Sequence, residues 1–578
     1  MPTPPMMAST LLAALLAAAP AAPVAAPPVG APQPAAAPPA VPPQMPASAR
    51  ADARAAARAF RPAPARVREA PLRAHLAFLA DDLLEGRGTG QRGGDLAMRY
   101  LEAQLQALGL EPAVAGAWRQ RAEVLGTRLR TADSAVTFHA PDAAAGPGLH
   151  PAIGEEIVLA AGLPRAEVAL EAPLVFVGFG ITSPEWRWDD LKGADLKGKL
   201  LLMLVNEPPP TAEEPGLFDG DDLTEYGRWT WKFEQAARLG AAGVLLVHTD
   251  ASAAYPWSVV QTGFGGEKFQ LAAEPGGAPL QGWVTEGLAR RLVAAGGQEL
   301  DALRAQALRR DFRPVALGLT ATARLASDVR RFSQENVAGL VRGTDPALAR
   351  EAVVYSAHWD HFGKVGDRTF NGAVDNASGC AAVLALAEAT AASPARRSQL
   401  FLFTFGEEQG LLGAAAWVAH PPWPLADTVA DLNLESLNWV GPSRDVEFLG
   451  GDRSTLQEAV QPVASRLGLA LRAREPDRSG LYFRSDHWPF ARAGVPSASP
   501  GFSLAGQRDY LGDGAARRAQ AAGYLGRYHQ ESDDYDPAWD LSGMLQQAEL
   551  VLELGRAVAD APGRPAWKPG RAPRGRTP

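Results

Sequence analysis

Eight side chains in the second half of the chain have the types and spacing for metal-assisted chemistry: His358, Asp360, His361, Asp375, Glu407, Glu408, Glu435 and His529. The apolar run Ala352, Val353, Val354, Tyr355 stops just before His358, Asp360 and His361, and Asp375 arrives ahead of the next apolar segment. Leu400 to Phe405 ends in Gly406-Glu407-Glu408, and Val429 to Leu434 ends in Glu435. Strands that release polar residues where their hydrophobic run stops are where open α/β sheets keep their chemistry. Three such ends carrying imidazoles and carboxylates describe a site for hard metal ions more economically than three unrelated surface loops.

As a set, His358, Asp375, Glu408, Glu435 and His529 offer two imidazoles and three carboxylates without sulfur, which suits two zinc ions with one carboxylate bridging them. Two metals about 3.5–4 Å apart can bind the attacking and departing oxygens of a hydrolysis together, and each acidifies a shared water so that hydroxide is available near neutrality. Glu407, beside Glu408 but on the other side of the loop, suits a base that takes the water's proton and returns it to a leaving amine. Asp360, two residues past His358, is placed to accept the imidazole's second N–H and fix its tautomer.

Other polar residues have plainer readings. His361 is a packed or hydrogen-bonding neighbour, because His358 already takes that corner, and His487 is a pocket group rather than a ligand. Arg484 either orients substrate or Glu407 or makes an ordinary ion pair. Asp533, Asp534 and Asp536 read as a solvated acidic face. His75, His139, His150, His248 and His420 have no carboxylate partner at motif spacing, and Trp417 and Phe490 read as core.

The elements that position these groups follow from the rest of the chain. At 578 residues, 47% hydrophobic and 21% charged, it has the composition of a soluble globular protein of roughly three domains. The formal charge of −8 comes without a basic block, so no nucleic-acid footprint is present. Cys380 is the only cysteine, which excludes an intrachain disulfide and a thiolate metal cluster, and its small apolar neighbours predict a buried residue.

Residues 1–26 hold a short apolar run followed by small residues, which reads as a signal peptide and predicts an exported, periplasmic or secreted protein without stable membrane insertion. Residues 27–48 are an Ala/Pro linker. Helical patterns follow at Ala49–Phe60, Pro71–Ala80 and Asp95–Leu108, with Asp82–Gly94 (DLLEGRGTGQRGG) read as a tight exposed loop. Residues 166–325 form strands, one helix and glycine turns as a unit that interrupts a strand–helix alternation resuming near Glu335. A closing helix spans Asp540 to Val558, and 562–578 is a Pro/Gly/Arg tail read as disordered.

His358-x-Asp360, Asp375-Asn376-Ala377-Ser378-Gly379, Gly406-Glu407-Glu408-x-Gly410-x-x-Gly413, Asn433-Leu434-Glu435, Arg484-Ser485-Asp486-His487 and Tyr528-His529 occur in the order seen in the di-zinc aminopeptidase family, which this chain resembles from about Pro71 to Val558. The insert resembles the family's protease-associated domain through Val175–Ile181 and Phe233–Val244. The resemblance implies an α/β fold: a mixed-sheet zinc-exopeptidase domain (phosphorylase/hydrolase-like) of 49–165 and 326–561 with helices on both faces, interrupted by a smaller β-rich protease-associated domain at 166–325.

It also implies a site. The metal ligands fall on His358, Asp375 (bridging), Glu408, Glu435 and His529, with Glu407 as general base, Tyr528 as donor to the oxyanion, and the acidic run of Asp533, Asp534 and Asp536 in a turn that anchors the final histidine. At Glu435 the family usually has Asp, and the extra methylene bears on how the second metal sits. The implied activity is a zinc-dependent aminopeptidase using a metal-bridged hydroxide and two zinc ions on peptides with a free amino terminus. Carboxypeptidase or dipeptidase action, glutaminyl cyclisation, and a catalytically inactive receptor-like binding protein are the alternatives on the same scaffold.

Overall fold

The structure, a computed structural model, describes residues 67–140, 148–253, 256–274, 276–472, 475–500 and 508–573. The stretches read as signal peptide and linker, and the Ala49–Phe60 helix, lie outside the described residues. Two helices lead: α1 (Glu69–Leu79) buries Leu72, Leu76 and Leu79, and α2 (Arg92–Ala107) buries Ala97, Met98, Leu101 and Leu105. Both stripes have the helical period that an amphipathic surface helix needs.

Strands β1 (Arg119–Leu129), β2 (Ala135–His139), β3 (Ile157–Ala161), β4 (Glu167–Phe176) and β5 (Leu200–Leu204) follow, then α3 (Trp229–Arg238), β6 (Gly243–His248) and β7 (Leu280–Thr285). The 27-residue β8 (Val315–Val341) pairs antiparallel with β4 over 315–326, with β1 over 327–337 and with β10 (Ser398–Thr404) over 337–341. One strand therefore belongs to two halves of a continuous sheet. Beyond β8 come β9 (Ala352–His358), α4 (Ser378–Ala392), the helix α5 (Leu412–Ala419) after β10, β11 (Thr428–Asn433), β12 (Ser497–Pro500) and α6 (Ser542–Asp560).

In one half the order is β12–β11–β9–β10–β8, and the first four strands are parallel. The register sets His358 opposite Thr404 and Ser356 opposite Asn433, so the residues following each strand leave the sheet at one edge. β9, β10 and β11 are buried along their whole length, as interior parallel strands covered on both faces must be. Val353, Tyr355 and Ala357 pack with α1, α4 and α6, while Ala352 and Val354 pack on the opposite face with Trp417 of α5. Helices thus cover both faces of a mixed sheet.

The other half runs β4–β5–β6–β7 in parallel and closes with antiparallel β3. Alternation is again visible in its core, with Leu200 and Leu202 on one face and Leu201 and Met203 on the other. β2 pairs with residues 320–324 and β3 with 280–284, so this half draws strands from before residue 166. The reading of 562–578 as disordered is corrected over 562–573: Arg564 pairs with Glu351, Lys568 with Glu458 and Arg571 with Asp219, and the Trp567 indole donates to the Gly494 carbonyl at 2.9 Å. Basic and aromatic side chains hold this Pro-rich stretch where composition alone gives no reason for order.

Candidate metal centre

His358 closes β9 with its ring fully buried, and Nδ1 lies 2.9 Å from the Asp360 main-chain oxygen. A carbonyl oxygen only accepts, so Nδ1 carries a proton, and Nε2 faces Asp375 Oδ1 (3.3 Å), Glu435 Oε1 (3.2 Å) and Glu407 Oε2 (4.0 Å). The second oxygen of Asp375 faces His529 Nε2 at 3.2 Å, and Glu408 Oε2 lies 3.3 Å from that same nitrogen. Asp375 therefore stands between two imidazoles, with Glu435 on one side and Glu408 on the other.

The separations are informative. A tetrahedral ion with bonds of about 2.0–2.1 Å sets neighbouring donor atoms about 3.3 Å apart. The donor pairs around Asp375 meet that edge length. Among the described residues His529 Nε2 and Glu408 Oε1 are buried atoms without a hydrogen-bond partner, and the donor set is oxygen and nitrogen only. Both facts fit zinc.

The electrostatics agree. Burial pulls the His358 imidazole toward neutrality, but the Glu435 and Glu407 carboxylates outweigh it and raise its pKa well above the usual value. Burial, with Glu435, Glu408 and Asp486 adding, holds Glu407 well above an ordinary carboxylate. Burial does the same to Glu408, helped by Asp375. Asp375 goes the other way, because contacts to His358 and His529 overcome its burial. So many acids in a dry place call for positive charge, supplied by protons or by a cation.

Asp360 departs from expectation. Its main-chain oxygen, not its carboxylate, takes the His358 N–H; the carboxylate is 3.7 Å from Nδ1 and instead accepts from the Glu407 amide and the Thr89 hydroxyl, each at 3.2 Å. The turn leaving β9 brings the backbone of residue 360 under the ring before its side chain can reach. Glu407 is thereby tied to the His358 loop. His361 is buried with Nδ1 2.5 Å from Glu408 Oε1, not aligned as a hydrogen bond.

The Asn376-Ala377-Ser378-Gly379 stretch is structural glue. Asn376 donates to the Leu434 carbonyl at 2.9 Å and accepts from the amides of Gly379 and Ser436. Ser378 donates to the Val374 oxygen and accepts the Leu437 amide. A Cβ at Gly379 would stand 2.4 Å from Leu434 O, which only glycine allows. The loop bearing Asp375 is thus fastened to the loop bearing Glu435.

Of two further anchors, one was expected only through the resemblance and the other not at all. Asp533 is buried rather than solvated: its carboxylate accepts the Val374 and Asp375 amides at 3.1–3.2 Å and the Tyr524 hydroxyl at 3.2 Å, joining the His529 segment to the Asp375 loop. Arg87 overturns the reading of DLLEGRGTGQRGG as an exposed loop. It is 1% exposed, and its guanidinium donates to the carbonyls of Leu79, Trp359, Asn371 and Gly372 at 2.5–3.0 Å. An arginine with four carbonyls around it satisfies buried backbone that no secondary structure covers. Glycine richness announced a turn but not which way it faced.

Asp375, Glu407 and Glu435 open onto a cleft of about 410 Å³ shared with Leu449, Leu481, Arg484, Ser485, His487, Ser499 and Tyr528. Ser485 donates to Glu435 Oε2 at 2.7 Å and accepts from Asn433, which holds the longer glutamate side chain in place. Tyr528 stacks on His529 with ring centres 3.7 Å apart, and burial together with Asp375 and Glu408 keeps its hydroxyl protonated. Arg484 donates to the Ser479 carbonyl and makes no ion pair among the described residues. His487 is fully buried, and burial lowers its pKa to about 4, so it is a neutral pocket wall.

Acidic and imidazole groups thus gather at the ends of the parallel strands of an α/β sheet, as oxygen and nitrogen donors for metal ions must. Residues 336–554 match the sequence profile of peptidase family M28. A vacuolar membrane protease of Lachancea thermotolerans is 36% identical over 129 residues, which is 22% of this chain and 12% of that protein's length. Among solved structures, an aminopeptidase from Aneurinibacillus sp. strain AM-1 is 19% identical, covering 88% of this chain and 98% of its own with a TM-score of 0.47. A zinc aminopeptidase from Bacillus subtilis is 17% identical, covering 89% and 99% with a TM-score of 0.46. A peptidase M28 precursor from Shewanella amazonensis is 18% identical, covering 90% and 98% with a TM-score of 0.41. Among the described residues no helix is long and apolar enough to cross a membrane.

Proposed function

We propose that this protein is a zinc-dependent aminopeptidase that binds two zinc ions and removes residues from the free amino end of peptides. The observation that carries the reading is the Asp375 carboxylate, one oxygen 3.3 Å from His358 Nε2 and the other 3.2 Å from His529 Nε2. In this reading His358, Asp375 and Glu435 hold one ion, and His529, Asp375 and Glu408 hold the other. Zinc in such a donor set supplies Lewis-acid polarisation of a carbonyl and acidifies water toward neutrality.

Glu407 takes the water's proton and passes it to the departing amine. Its carboxylate opens onto the same cleft as Asp375 and Glu435, where a proton carrier between water and amine must stand. The Tyr528 hydroxyl, on the same cleft, donates to the oxygen that gains charge. The acidic pocket favours a substrate ammonium, so the free amine is part of recognition. Residues 166–325, together with β2 and β3, act as a protease-associated domain beside a catalytic domain formed by the rest of 49–165 and by 326–561, in a protein that is exported.

The test is a panel of amino-acid nitroanilides and dipeptides, with and without amino-terminal acetylation, assayed on metal-depleted and zinc-restored protein. Activity should return with zinc, rise up to two equivalents, and vanish on acetylated substrates. Unchanged cleavage of blocked peptides would overturn the aminopeptidase reading, and saturation at one equivalent would overturn the two-ion count.

A further inference from the structure

The cleft wall formed by Leu481, Arg484 and Ser485 is held from outside its own half of the sheet. The Asp477 main chain is gripped at both ends by the insert: its amide donates to Asp222 Oδ1 at 2.6 Å, and its carbonyl accepts from the Leu223 amide at 2.9 Å. The Asp477 carboxylate in turn accepts the Leu481 amide at 2.8 Å and the Tyr482 amide at 3.0 Å, the first turn of the wall. Asp222 is 7% exposed, so this contact is shielded from water.

A second, independent fit lies alongside. Gly480 has φ +65°, and a Cβ there would stand 3.1 Å from Leu223 Cδ2 and from Arg228 Cδ of the insert. The insert side is itself braced, since the Glu207 carboxylate accepts the Thr224 amide at 2.7 Å and the Thr224 hydroxyl. At the other end of the wall, Ser485 bonds Glu435.

We propose that Asp222 and Leu223 form a clasp on Asp477 through which the insert positions the cleft wall and so sets how tightly the cleft holds a peptide. The proposal rests on the peptidase reading and makes Asp222 a positioning residue. Its effect falls on substrate binding, because Asp375 and Glu407 are fastened by other contacts, to Asp533 and to Asp360, and the backbone on either side of Glu435 is held by Asn376. The insert is then part of the substrate site.

The experiment uses the full chain as wild type, Asp222→Ala, Asp222→Asn, which keeps an acceptor oxygen, and Gly480→Ala, which crowds Leu223 and Arg228 of the insert from the other side. Amide exchange across 477–487, zinc content, and KM and kcat for a leucyl peptide are measured on each. Losing the clasp should speed exchange at Leu481 and Tyr482 and raise KM, each roughly tenfold, with kcat within about threefold and zinc content unchanged. Asp222→Asn should stay near wild type. Unchanged exchange across 477–487 in both Asp222→Ala and Gly480→Ala would overturn the proposal, as would faster exchange with an unaltered KM, or a fall in kcat and zinc content with KM intact. A wild-type protein that cleaves no peptide would sink the peptidase reading instead, and exchange, which needs no turnover, would still decide whether the clasp holds the wall.

Discussion

Buried charge is handled in opposite ways in the two halves of the sheet. In the insert, Lys232 is fully buried and donates to the Phe179 carbonyl at 2.6 Å, and Asp190 accepts the Ile181 amide at 2.9 Å and the Trp188 indole at 2.7 Å. Glu207 takes both donors of Thr224. Burial moves Lys232 down to about 7, Asp190 up to about 6 and Glu207 up to about 7, so the three groups approach neutrality by trading protons. At the strand ends of the other half, His358, Asp375, Glu408, Glu435 and His529 turn lone pairs toward common points, and some of those atoms have no donor at all. A buried charge that serves the fold is saturated by its neighbours; a buried charge that serves chemistry keeps capacity in reserve.

That contrast breaks most sharply at Glu407. Glu407→Gln keeps the shape but not the base, and should lower kcat about 10²–10⁴-fold with zinc content unchanged, read by steady-state kinetics and metal analysis. Loss of zinc along with activity would make Glu407 a ligand, not a base. In the insert the matching change is Lys232→Met, which leaves two buried acids without their cation and should cost about 3 kcal/mol in denaturant unfolding. Zinc content of the folded variant should be unaffected, since no atom of that cluster belongs to the metal centre.

Zinc removal tests the reserve directly. Zinc at about 1,000 times its Kd should stabilise the protein by about 4 kcal/mol, seen as a fall in melting temperature on chelation and recovery on readdition. His487 marks where the demand for cations stops. His487 lines the cleft yet is held neutral by burial at a pKa of about 4, against an ordinary value near 6.5. A base whose folded pKa is depressed binds fewer protons folded than unfolded, so its contribution is present above pH 6.5 and is lost as pH falls from 6.5 toward 4. About 3 kcal/mol should disappear over that window, and His487→Gln should flatten that part of the stability profile in thermal melts.

How much of this was legible beforehand depended on whether a residue acts through its own local pattern. β9 and β10 announced themselves through the apolar runs 352–355 and 400–405, and β11 through a run that Asp431 and Asn433 interrupt, and the polar residues at their ends followed from that. Asp360 was misread because its carbonyl outranks its side chain at the ring. Arg87 was misread, and Asp533 was readable as an anchor only through the family resemblance, because a glycine-rich loop and an acidic run look solvated until something packs on them, and here each is buried against backbone hundreds of residues away.

The sequence by itself determined the strand–helix alternation, the chemistry of the donor set and the order in which its members occur, because hydrophobic period and side-chain type are local properties of the chain. Only the tertiary structure decided that Asp375 straddles two imidazoles, that Arg87 and Asp533 clamp the loops around it, and that Asp222 reaches across to the cleft wall at Asp477. Those outcomes depend on strand register and on buried polar groups finding partners distant in sequence, which no local pattern records.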